Sequence, residues 1–243
     1  MWKIIHIGKS VKRRSILLAM GLIAAVKVGS TAGMALTIVA SLAVYALTFG
    51  MPFAIGLVAL LLIHELGHVA ACRVVGISTS QPLLIPFVGA VIRLKQVPEN
   101  AQVEANVAIG GPAAGSLSAL VCLAFYLWTD NMLLLVLAYT ACILNLFNLI
   151  PCHPLDGGKI GDAISTKLWW GGAMFIGALA GYTSNCFMLI VFFMSLLRLW
   201  QDRGSPQKYY QLAIKQRLRL AGCYFGLLTV LSGTMLYIME LLR

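Results

Sequence analysis

Long apolar runs, each closed by glycine, proline or a knot of charge, limit what this chain can fold into more than any other feature. They lie at about 32–49, 53–75, 104–128, 132–150 and 220–241. A helix needs about 20 apolar residues to cross the hydrocarbon core of a bilayer, and these runs fit that length. Sixty per cent of the 243 residues are apolar and 11% are charged, against about 25% charged in a soluble domain. The pattern predicts an all-α polytopic membrane protein with about six or seven transmembrane segments. No linker, repeat or low-complexity tract divides the chain, so a single membrane-embedded domain over 32–243 is expected.

The net charge of +10 comes from 18 Lys and Arg against 8 Asp and Glu, and much of it sits at 3–14 and 198–219. Basic clusters beside membrane helices mark the cytoplasmic side and lie against anionic headgroups, which puts the N-terminus in the cytoplasm. No soluble basic face is available for nucleic acid, so that class of partner is excluded. Residues 15–26 are apolar but too short to span, and Lys27 interrupts them. A cleavable signal peptide fits the basic start and the small residues Ser30 and Ala32. Another apolar run follows at once, however, which favours an interfacial helix within 1–31.

Residues 76–103 read as a loop holding a short β-hairpin, with segments 83–88 and 90–95 divided by Gly89. Residues 168–200 are too long for one span and carry a break at Gly181-Tyr182-Thr183-Ser184-Asn185. Two short helices across that break keep the basic 198–219 segment on the cytoplasmic side; one span does not. The six cysteines, at 72, 122, 142, 152, 186 and 223, form no CxxC pair and read as small core residues.

The chemistry concentrates at His64-Glu65-Leu66-Gly67-His68. Residues four apart on a helix share a face, so both imidazoles can converge on one ion, with Glu65 one step round. In the HExxH device two histidines hold zinc and the glutamate takes a proton from a water on the metal. The motif interrupts an almost wholly apolar stretch, 55–63. An ionisable residue in mid-membrane costs about 2.5–3.5 kcal/mol on insertion scales, so three polar side chains there require pairing or a metal. A catalytic zinc takes three protein ligands and leaves one position open. A third histidine six residues on is ruled out, because that position is Val74. Asp156, in a Gly/Pro-rich break, is the first candidate for the third ligand and His153 the second. Unwound backbone at membrane depth is tolerated where it faces protein or water, so residues 151–158 are expected to line the site.

Three motifs in order now carry a resemblance: His64-Glu65-Leu66-Gly67-His68, then Gly110-Gly111-Pro112, then Asn148-Leu149-Ile150-Pro151 running through Leu155-Asp156-Gly157-Gly158. Over about 50–165 the chain resembles the site-2 protease family of intramembrane zinc metalloproteases, in a bacterial style without an inserted PDZ or appended regulatory domain. The resemblance implies one zinc per chain on His64, His68 and Asp156, with Glu65 as general base. It implies a role for Asn148 in holding substrate or stabilising an oxyanion, a membrane-associated β element after the HExxH helix, and a site nearer the cytoplasmic face of a bacterial inner membrane. His153 departs from the family pattern, leaving a fourth ligand or a supporting role behind the metal.

On this reading the substrate is a membrane protein whose transmembrane helix unwinds locally before hydrolysis. The hairpin is either an edge for that extended segment by β-augmentation or a surface-seated loop. Gly111, Gly115, Ser116 and Ser118 read as a stripe for helix packing, and Pro112 as a kink or a helix start. Two rivals remain: a zinc transporter or sensor, because intramembrane His and Asp also mark ion pathways, and an inactive scaffold.

Overall fold

The computed structural model describes residues 31–87, 89–201 and 207–243. The interfacial helix expected within 1–31 lies almost wholly outside the described residues. The described chain forms α1 (Thr31–Phe49), α2 (Met51–Val74), β1 (Leu83–Ile85), β2 (Gly89–Val91), α3 (Ala101–Thr129) and α4 (Met132–Asn148). After these come α5 (Asp156–Ile164), α6 (Thr166–Thr183), α7 (Cys186–Gln201), a 3-10 turn (Gln207–Tyr210) and α8 (Ile214–Leu241). The expected helical class with a small β insertion stands: helices dominate the described residues, with one two-stranded antiparallel sheet. Four helices there, not six or seven, have the length and apolar character of a full span. Helices α1, α2, α3 and α8 are long and apolar enough to cross a membrane, and α4 is a shorter apolar helix. The described residues divide into two compact units, one within 1–58 and 80–93, the other within 59–79 and 94–243.

In the first unit, Gly33, Thr37, Ser41 and Tyr45 are the buried positions of α1. Their spacing of four places them in one stripe, and α1 packs on β1. Thr37 Oγ1 accepts the Leu84 N–H at 3.3 Å, and Tyr45 Oη accepts the Phe87 N–H at 3.0 Å. Gly50, at φ 87°, ends α1 in the left-handed region that glycine enters freely. Pro52 then falls in the first turn of α2, where a missing N–H costs nothing.

The hairpin differs from its expected outline. Its strands are three residues each, paired Leu83 with Val91, Leu84 with Ala90 and Ile85 with Gly89. Gly89 therefore opens the second strand instead of dividing the two. The reversal needs positive φ, which Phe87 (62°) and Gly89 (115°) supply, so the glycine is used inside the ladder.

In the second unit α3 is the central element and packs on α4, α5 and α8. Asn100 caps it, its Oδ1 accepting the Val103 N–H at 3.0 Å, and Asp130 ends it in the left-handed region. Asn131 then caps α4 through the Leu133 N–H at 3.0 Å, so a two-residue link reverses the chain. Pro112 lies inside α3 and does not start it. Lacking an N–H, it leaves the Ala108 carbonyl without its helical donor. Helix α4 stops at Asn148, two residues short of the expected span, because Pro151 cannot continue the ladder. Residues 168–200 form the expected pair of helices, α6 and α7, which pack together across Ser184 at φ 51°. Helix α8 starts at Ile214 instead of near 220, so it takes in Lys215, Arg217 and Arg219; long basic side chains tolerate a helix end by reaching outward.

Candidate metal centre

All the chemistry-bearing residues below belong to the second unit. Helices α2 and α3 meet at glycines. A Cβ on Gly67 would fall on the Gly110 carbonyl, and one on Gly110 would fall on the Gly67 carbonyl. This backbone-to-backbone approach brings His68, the next residue on α2, against α3. There its Nδ1 donates to the Val107 carbonyl at 2.8 Å. The Gly111 nitrogen lies 3.2 Å from the same Nδ1. A carbonyl can only accept, so the shorter contact puts the proton on Nδ1.

One turn earlier, His64 Nδ1 lies 2.9 Å from Asn145 Oδ1 on α4. Asn145 donates its Nδ2 to the Ala141 carbonyl at 2.7 Å, which fixes the amide with its oxygen toward the imidazole. Both histidines therefore carry their proton on Nδ1 and turn a bare Nε2 lone pair inward. The two Nε2 atoms are 3.1 Å apart. Asp156 Oδ2 lies 3.2 Å from the first and 3.1 Å from the second. Its other oxygen receives Lys159 Nζ at 3.4 Å.

Three acceptors facing one another without a proton between them repel, and a cation resolves the repulsion. A zinc tetrahedron with bonds of about 2.0–2.1 Å has donors about 3.3–3.4 Å apart; the three edges here fall just inside that. These residues fit zinc, and they are the group of metal-ligating type brought together among the described residues. His64, Glu65, His68 and Asp156 are each buried to within 8% exposure.

Asp156 reaches the histidines because its loop is compact. A Cβ on Gly157 would fall on the Leu149 carbonyl, and one on Gly158 on the Cys152–His153 backbone. The two glycines let the first turn of α5 nest on 149–153. Tyr224 on α8 donates to the Leu149 carbonyl at 2.6 Å, and Cys152 and Leu155 pack with Trp169, Ile176 and Val191.

His153 is not in the cluster. Its Nε2 meets Asp162 Oδ2 at 2.7 Å, and its ring stands edge-on to Trp169 at 5.1 Å. Asn148 is partly buried at the last residue of α4. Sequence reasoning passed over Asn145 and read Gly111 and Gly115 as packing positions alone. A Cβ on Gly111 would strike both imidazoles, and one on Gly115 would strike the Asn145 amide. These glycines make room for the site as well as for helix packing. Asn145 carried a signal all the same, as an amide side chain inside an otherwise largely apolar helix.

Residues 52–131 match the model of peptidase family M50. A zinc metalloprotease of Methanocaldococcus jannaschii is 36% identical over 110 residues, which is 43% of this chain and 32% of that protein. The match thus spans about a third of the curated relative. A solved structure, the site-2 protease from Methanocaldococcus jannaschii, aligns with a TM-score of 0.46 and 22% identity over 74% of this chain and 88% of that one. The chain is thus similar to peptidase family M50 across the helix that carries His64-Glu65-Leu66-Gly67-His68 and the helix after it, which bears out the resemblance to the site-2 protease family read from the motifs.

Proposed function

We propose that this chain is an intramembrane zinc metalloprotease that hydrolyses peptide bonds in or near the transmembrane segments of membrane proteins. The observation that carries this is the convergence of His64 Nε2, His68 Nε2 and Asp156 Oδ2 beside Glu65, inside a helix apolar enough to cross a bilayer. In this reading those three side chains hold zinc, and 32–243 forms the protease domain with its core at about 50–165. Bound zinc lowers the pKa of a water toward about 7 and polarises the scissile carbonyl. Glu65 accepts the proton of the attacking water and delivers it to the leaving amine. Lys159 Nζ stands 3.4 Å from the second oxygen of Asp156, which would leave Oδ2 as the oxygen that holds the metal. Asn148 holds the substrate or donates to the oxyanion. His153, paired with Asp162, supports the loop from behind and is not a fourth ligand. The partners are the bilayer and a substrate helix that unwinds locally, in a bacterial inner membrane, with the chain's basic segments on the cytoplasmic side.

The test uses the purified full chain and its Glu65→Gln variant with single-pass membrane substrates, while bound metal is assayed. One zinc in both proteins, with cleavage reduced about 10²–10⁴-fold in the variant, supports the proposal. Cleavage that survives Glu65→Gln, or absence of bound metal, overturns it. The first outcome also separates a protease from a zinc transporter or a scaffold, neither of which needs Glu65.

A further inference from the structure

The two histidines are held in different ways. His68 is oriented by a backbone carbonyl, that of Val107, which no side-chain substitution removes. His64 is oriented by a side chain 81 positions away, Asn145. We propose that Asn145 is a positioning residue for the metal centre: it fixes the tautomer and ring plane of His64, so that Nε2 points where Asp156 and His68 also point. This rests on the reading of the cluster as a zinc site.

Three observations converge on it. The 2.9 Å contact joins Asn145 Oδ1 to His64 Nδ1. The amide orientation is not free, because Nδ2 is committed to the Ala141 carbonyl at 2.7 Å. The space for the amide is made on a third helix, where any side chain on Gly115 would overlap it. Asn145 is 3% exposed, so water does not compete for the bond. Without this acceptor the His64 ring loses its buried partner and is free to turn. The other tautomer then places a hydrogen, in place of a lone pair, on the inward nitrogen. Partners of this kind behind a metal-bound histidine typically contribute about 10–100-fold in metal affinity.

The experiment measures zinc affinity by chelator competition, and the visible spectrum after cobalt substitution, on the purified full chain and two variants. Asn145→Leu keeps the size of the side chain but removes the acceptor. Asn145→Asp keeps the acceptor and gives up only the donor to Ala141. The expected result is zinc binding weakened about 10–100-fold and an altered cobalt spectrum in Asn145→Leu, with Asn145→Asp staying within about fivefold of wild type. Wild-type affinity in Asn145→Leu overturns the proposal. So does equal loss in both variants, since that is what a purely structural role produces. If Asn145→Leu fails to fold, Gly115→Ala, which displaces the amide from a different helix, takes its place with the same expected loss and the same overturning result. Metal binding is read without cleavage, so failure here is distinct from failure of the protease assignment, which Glu65→Gln decides.

Discussion

Two buried histidine–aspartate arrangements meet at one short stretch of chain, which supplies Asp156 to one and His153 with Asp162 to the other, and they behave as opposites. At His153 and Asp162 one ring nitrogen meets one carboxylate oxygen at 2.7 Å. A single proton between them satisfies both, as in any charge-assisted hydrogen bond. At His64, His68 and Asp156 three lone pairs meet, and the protons of both imidazoles are already committed outward, to Asn145 and Val107. The residue types are the same and the burial is similar. What differs is the count of protons, set at His64 and His68 by the acceptors behind each ring. The contact in the first arrangement needs no more than the proton it holds; the second needs a cation. A histidine beside an aspartate is therefore a weak sign of a metal until its other nitrogen has been followed to a partner.

The comparison breaks most sharply under substitution of the histidines. His64→Ala removes one of three zinc ligands and is expected to leave less than about a tenth of the zinc bound by wild type in a metal assay of the purified protein. Chelation is expected to lower the melting temperature of wild type, because a ligand bound only to the folded state stabilises it by mass action, and to leave His64→Ala unmoved. His153→Ala is expected to keep one zinc. It leaves the Asp162 carboxylate without its partner, although the other oxygen of that carboxylate already has none among the described residues. Removing one member of a buried pair costs about 3–5 kcal/mol, so unfolding measured in detergent should register a large loss. Zinc lost in His153→Ala, with the fold intact, would erase the distinction between the two arrangements.

How much of this was legible beforehand follows from the range of each interaction. His64 and His68 share a helix, and their spacing makes convergence a matter of helical geometry. Asp156 was readable because Gly157, Gly158 and Pro151 mark a break that must fold against something. The hairpin was readable as an element, but not its turn, because Phe87 takes a positive φ as well as Gly89, and nothing in a phenylalanine signals that. Asn145 was not picked out, since its role depends on α4 facing α2 across 81 residues, and periodicity within one helix does not report that. For the same reason Gly111 and Gly115 looked like packing alone. A small residue does not announce whether the neighbour it admits is a backbone or a functional side chain.

The smallest expected effect sharpens the comparison from the far side of His153. Trp169 presents its ring to the His153 edge and donates Nε1–H to Ser195 Oγ on α7 at 3.0 Å. Ser195 is fully buried, so water does not replace that donor. Trp169→Phe keeps an aromatic face beside His153 and removes only the hydrogen bond. The expected cost is about 1 kcal/mol, seen as a small drop in melting temperature, with zinc content and zinc affinity unchanged. The metal centre and the His153–Asp162 pair share a loop but no atoms, and a packing change confined to one should not reach the other. A measurable loss of zinc affinity in Trp169→Phe would mean that the loop transmits strain from α6 to Asp156, and that the His153–Asp162 pair also sets the geometry of the site.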